Sequence, residues 1–152
     1  MLKLIENNFD NPEVNELLTK HFVELRAASP EGSAHVLDIP GLKVPSIKFW
    51  SLWDEEKLIG CGALKFLDKD HGEFKSIRIH DNFRKQGQGI NVINHLINEA
   101  KKLNIKRISI ETGAGDFFIP ARKLFKRTGF SECEPFAHYK VDINSVYLTK
   151  KI

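Results

Sequence analysis

The run Ile77-Arg78-Ile79-His80-Asp81-Asn82-Phe83-Arg84-Lys85-Gln86-Gly87-Gln88-Gly89-Ile90 sets a strand-like segment, a basic loop with two glycines and the start of an amphipathic pattern in immediate succession. Where a strand passes through such a loop into a helix, the first helical N–H groups have no partner inside the helix. With the helix dipole they form an anion site. Gly87 and Gly89 carry no Cβ, so the backbone can approach a phosphate closely. Arg84 and Lys85 add positive charge at the same mouth. The bland alternative is an ordinary glycine-containing turn with solvated basic residues, and a lone GxG favours that alternative.

Other phosphate loops and hydrolytic motifs do not fit. A dinucleotide fingerprint needs a third glycine three residues after Gly89, where Val92 stands. The chain contains no GxxxxGK followed by Ser or Thr, no GxSxG elbow and no HExxH. What remains is Arg84-x-x-Gly87-x-Gly89 behind Ile77-x-Ile79.

The elements that must position this loop are legible on both sides. Residues 2–5 suit a short strand. Asp10, Asn11 and Pro12 start a helix with Val14, Leu17, Leu18, Phe22 and Leu25 on one stripe, ending near Ser29-Pro30. The segment 30–45 holds Pro30, Gly32, Pro40, Gly41 and Pro45, with a helical turn expected around Ala34–Leu37. A connection of that length inside a domain is more often functional than idle. Ile47–Trp53, Lys57–Leu67 and Glu73–His80 read as three antiparallel strands joined by short turns. Residues 87–103 form a helix whose apolar stripe is Ile90, Ile93, Leu96, Ile97, Ala100 and Leu103, and Lys106–Glu111 is the next strand. Strand, helix and strand make a βαβ unit with the two strands parallel. A helix over Phe117–Thr128 closes at Gly129, and two strands near Phe136–Val141 and Ser145–Thr149 finish the chain. The expected fold is α+β: an antiparallel meander running into a βαβ unit, one mixed sheet with helices on both faces. Trp50 and Trp53 fall on opposite strand faces, which puts one in the core and the other in solvent or on a pocket wall.

Length and composition agree. The 152 residues suit a single domain over 1–152, and 41% hydrophobic with 28% charged residues is the globular norm. Lys and Arg number 23 against 20 Asp and Glu, a net +3 that suits a small polyanionic ligand and is too weak and dispersed for nucleic acid. Cys61 and Cys133 make no disulfide framework and no zinc spacing, so no metal is expected. Without a signal-like or membrane-spanning stretch, the expectation is a soluble, cytoplasmic protein with no membrane partner.

The loop pattern resembles the acetyl-CoA pyrophosphate loop of the GNAT (GCN5-related N-acetyltransferase) superfamily: Gln or Arg, two residues, Gly, one residue, then Gly or Ala. A second signature of that family is an alanine, a tyrosine four residues on and a Gly-Phe four beyond that. It is similar to Ala121-Arg122-Lys123-Leu124-Phe125-Lys126-Arg127-Thr128-Gly129-Phe130, with Phe125 in the tyrosine's place. The order of elements matches as well, and the likeness covers roughly residues 47–130. Other departures are Asp81 for a frequent proline, Lys85 for a glycine after the loop arginine, and Phe118 for an asparagine that often bonds the cofactor.

The resemblance implies an acetyl-CoA-dependent N-acyltransferase that moves an acetyl group directly to a primary amine in a ternary complex. Pyrophosphate would lie on the N–H groups of Gln86, Gly87, Gln88, Gly89 and Ile90, with Arg84 and Lys85 alongside. The pantetheine arm would add like a short strand along Ile77, Arg78 and Ile79, where the parallel strands splay, and an N–H near Ile79 would polarise the thioester carbonyl. Glu73 is the leading general base, because some family members carry a glutamate on that strand, and Glu111 at the end of the next strand is the second candidate. A mere surface glutamate is the alternative for Glu73. Tyr139 is the candidate acid in place of Phe125, against a purely structural hydroxyl. The acceptor, a small-molecule or peptide amine, would lie among Arg26, His35, Asp38, Trp50, Trp53, His138 and Tyr139. A homodimer follows from family habit alone. A catalytically silent CoA-binding sensor or interaction module is the second reading, motivated by Phe125.

Overall fold

A computed structural model describes residues 2–152. Its elements run β1 (Lys3–Glu6), α1 (Pro12–Ala28), α2 (Ile39–Leu42), β2 (Ile47–Asp54), β3 (Lys57–Phe66), β4 (His71–Ile79), α3 (Gln88–Lys102), β5 (Arg107–Gly113), α4 (Ile119–Arg127), β6 (Ser131–Glu132) and β7 (Ser145–Lys151). One seven-stranded sheet has the order β1-β2-β3-β4-β5-β7-β6; only the β4–β5 pairing is parallel. The mixed sheet, meander and βαβ unit are those expected from the sequence.

Local chemistry places the helix ends. Asn11 Oδ1 accepts from the N–H groups of Glu13 and Val14 at 2.9 and 3.2 Å, and Pro12 needs no partner in the first turn. The chain leaves α1 at Ser29, extended at ψ 139° as the following proline requires. Gly129 follows α4 at φ +100°, a conformation that favours glycine.

Two apolar layers sandwich the sheet. Phe9, Val14, Leu17, Leu18, Leu42, Phe49, Trp53 and Cys61 pack on the α1 side; Trp50, Leu64, Phe74, Ile93, Leu96, Ile108 and Phe125 pack on the other. The two tryptophans do face opposite ways, but both are buried, at 1% and 8% exposure, because helices cover both faces. Neither lines the cleft described below.

Two further expectations are corrected. The helical turn forms at Ile39–Leu42 rather than around Ala34–Leu37, because Asp38 Oδ1 caps it by accepting from Gly41 N–H at 2.8 Å and Pro40 suits its first turn. The strand near Phe136–Val141 is absent. Tyr139 N–H turns back to the Phe136 carbonyl at 3.0 Å, and both rings pack inward with Tyr147, so side chains no longer alternate. The edge partner of β7 is instead the two-residue β6.

Candidate active site

β4 and β5 pair only through His71–Arg107, Gly72–Ile108 and Glu73–Ser109. Beyond Glu73 the strands part, β4 staying with β3 and β5 with β7. The fork opens into a cleft of about 600 Å³ walled by α1, the segment after it, the loop before α3, and α4. On the wall stand Ile77, Arg78, Ile79, Arg84, Lys85, Gly87, Gly89 and Ile90, and at its inner end Glu73 and Glu111. Gln86 in the loop and Gln88 at the start of α3 hold their side chains off that wall: Gln86 Nε2 donates to the Asn82 carbonyl at 3.1 Å, and Gln88 Oε1 accepts from Asn91 at 3.3 Å.

The first turn of α3 has no side-chain cap and no acidic residue, so its N–H groups are open to an anion. Gly87 adopts φ +79°, which explains glycine there. Gly89 has another reason than the one read from sequence. A Cβ at 89 would come within 2.7 Å of Leu124 Cδ2, so its bareness lets α4 pack on the first turn of α3. Arg84 is half exposed and paired with Asp81 at 3.2 Å, whereas Lys85 has no ion pair among the described residues.

At the inner end, Glu73 is 1% exposed. Its Oε2 accepts from Tyr139 Oη at 2.6 Å and from Lys75 Nζ at 3.2 Å, and Lys75 Nζ also reaches Tyr139 Oη at 3.1 Å. Oε1 has no partner among the described residues. Tyr139 is not on the cleft wall; it stands behind Glu73, and burial together with the Glu73 carboxylate pushes its hydroxyl pKa well up. Glu111 accepts from Ser145 Oγ at 2.8 Å, and burial raises its carboxyl above the usual range. His35 lines the cleft and sets its ring edge-on to Tyr139 at 5.1 Å. Arg26 and His138 stack on Phe22 and Tyr139 instead.

A bulge in β4 decides which residues face α1. Ser76 takes φ +54°, and the β3–β4 register shifts between Cys61 and Ala63. The extra residue reverses the alternation after it. Phe74, Ile77 and Ile79 therefore pack toward α3, while Arg78 turns to α1 and meets Glu24 at 2.8 Å and Asp81 at 3.2 Å. Lys20 joins the same network through Asp81. His21, buried in α1 and on the cleft wall, is pushed down to about 3 by burial first, then by Arg78 and Arg84. Sequence reasoning missed His21 and Lys75. Both carried a signal: His21 falls seven residues after Val14 on the apolar stripe, and Lys75 shares a strand face with Glu73.

The geometry leaves polar groups open to a bound molecule. Four atoms at this cleft are buried without a partner among the described residues: His21 Nδ1, Glu73 Oε1, Ser76 Oγ and Arg78 Nε. They line a slot with open main-chain groups on one side and an uncapped helix start at its mouth. Among the described residues no group of three or more His, Cys, Asp or Glu is placed to hold a metal ion, and no helix is long and apolar enough to cross a membrane.

Comparison with known proteins agrees with this architecture. The chain is 45% identical over 140 residues to the uncharacterized N-acetyltransferase YsnE of Bacillus subtilis, covering 92% of this chain and 93% of that one. It is 36% identical over 149 residues to the uncharacterized N-acetyltransferase YedL of Escherichia coli, covering 98% and 94%. A GNAT family acetyltransferase from Elizabethkingia anophelis, solved with acetyl-CoA bound, shares the fold at a TM-score of 0.70 and 19% identity, covering 99% and 98%. The family model for acetyltransferases of the GNAT family matches residues 11–130, a span that takes in α1, the forked strands, the glycine loop and α4; the chain belongs to the GNAT acetyltransferase family.

Proposed function

We propose that this protein transfers the acetyl group of acetyl-CoA to a primary amine, directly between two substrates held together in the cleft. The observation that carries this reading is the fork of β4 and β5, which joins an uncapped helix start at one end to a buried carboxylate with a free oxygen at the other.

The N–H groups from Gln86 to Ile90, with Arg84 and Lys85, would hold the pyrophosphate. Main-chain groups of Ile77–Ile79 that β5 does not pair would bind the pantetheine arm, the Ile79 carbonyl after giving up the 3.4 Å bond it accepts from Arg84 Nε. Acetyl-CoA supplies an activated thioester. Glu73 takes the proton of the amine on Oε1, while Tyr139 and Lys75 fix Oε2 and so hold the carboxylate's orientation. Glu111, its carboxyl raised by burial, offers a second proton-accepting oxygen across the fork. Phe125 lines the cleft and brings no proton, but a thiol pKa of ~8.5 lets a thiolate leave near neutral pH without a side-chain acid. A covalent route through cysteine is disfavoured: burial pushes the Cys61 thiol up to about 12, and Cys133 lies off the cleft.

Thiol release from acetyl-CoA, measured with polyamines, amino acids, aminoglycosides and peptide N-termini, tests the proposal. At least one amine should raise the rate far above the amine-free rate. Release at the background rate with every amine, by a protein that does bind CoA, would leave a binding module in place of an enzyme.

A further inference from the structure

Helix α4, IPARKLFKR, carries four cations and no carboxylate. Two have protein partners: Arg122 donates to the carbonyls of Gly113 and Gly115 at 2.6 and 2.9 Å, and Lys126 pairs with Glu132 at 3.1 Å. The other two, Lys123 and Arg127, are exposed, line the cleft, and form no ion pair among the described residues. Four residues apart, they share one stripe, and like charges at that spacing destabilise a helix. The helix dipole accounts for Arg127 in the last turn but not for Lys123. Leu124, beside them, is the residue against which Gly89 packs, so the stripe stands next to the first turn of α3 and to unpaired Lys85.

We propose that Lys123 and Arg127 form a second phosphate site in the cleft, taking the 3′-phosphate of the CoA nucleotide, so that the protein distinguishes CoA from 3′-dephospho-CoA. The inference rests on the reading that loop 84–90 holds the pyrophosphate. The ribose phosphate is tethered to that pyrophosphate by a few bonds, and as a monoester it carries close to two negative charges at neutral pH. A guanidinium offers it a two-pronged contact and an ammonium a point charge.

Calorimetric titration of CoA and of 3′-dephospho-CoA into the full chain and into a Lys123→Ala/Arg127→Ala variant, with melting curves as a folding check, tests the site. The unaltered protein should bind CoA about tenfold more tightly than the dephospho form, an advantage that shrinks with added salt. In the double variant the two ligands should bind alike, near the affinity of the unaltered protein for dephospho-CoA. Equal binding of the two ligands by the unaltered protein, or a variant that weakens both by the same factor, overturns this site while leaving the loop reading intact. Binding of neither ligand overturns the loop reading and this site with it. An Arg127→Ala variant that lowers Tm at an unchanged CoA-to-dephospho-CoA ratio removes Arg127 from the site and assigns it to the helix end.

Discussion

The loop end of the cleft is made by consecutive residues, Ile77 to Ile90, working through main-chain donors and the conformation of Gly87. The inner end is made by side chains from distant parts of the chain: Glu73 and Lys75 from β4, Glu111 from β5, Tyr139 from a loop and Ser145 from β7. The contrast predicts opposite sensitivities. A backbone site tolerates new polar groups but not a change in backbone path or helix approach. A side-chain cluster tolerates small backbone shifts but not the loss of one carboxylate.

The sharpest separation of the two ends is Glu73→Gln. It should lower kcat by about 100-fold or more while CoA affinity, read by calorimetry, stays the same. A parallel loss of CoA affinity would show that the ends are not independent. Next in size, CoA at one hundred times its Kd should add about 2.7 kcal/mol and raise Tm by several degrees. Gly89→Val should lose most of that shift, because its side chain drives Leu124 and α4 away from the first turn of α3, and adding Leu124→Ala should restore part of it. A full shift retained in Gly89→Val alone would show that Leu124 yields to the new side chain and that the packing of α4 does not shape the loop.

Tyr139→Phe is the milder test of the inner end. Lys75 still holds Glu73 Oε2, so kcat should fall by about tenfold, well short of the roughly 100-fold expected on losing a general acid. A drop of that larger size at unchanged CoA affinity would make Tyr139 the proton donor.

The last test concerns His21, between the two ends. The unfolded chain takes up a proton on histidine near 6.5, whereas the folded chain holds this one neutral down to about 3. Stability should therefore fall as pH drops through that window, by at most ~1.4 kcal/mol per pH unit from this group. His21→Gln should remove that slope in denaturant titrations between pH 6 and 4. An unchanged slope would show that the site accommodates the charge.

The two ends also differed in legibility. The helix starts at Asn11 and Gln88, the stop before Pro30 and the glycine after α4 all follow from interactions spanning a few residues, and the chain's order writes them down. Glu73 could be singled out as a carboxylate on the strand that leads into the glycine loop, but its burial and its bond to Tyr139, 66 residues away, had no local trace. The strand expected over Phe136–Val141 fails for the same reason. Its aromatic residues have the composition of a strand, yet packing around Tyr139 and Tyr147 bends the segment into a loop.

The amino-acid sequence by itself determined the loop, the element order and hence the family resemblance, because helix capping, turn conformation and hydrophobic period act over one or two turns of chain. Only the tertiary structure decided what faces the fork. A one-residue bulge at Ser76 reverses which side of β4 meets α1, and pairings between remote segments leave Glu73 buried with one oxygen free. Register shifts and long-range burial depend on how the whole sheet closes, so no window of the sequence contains them.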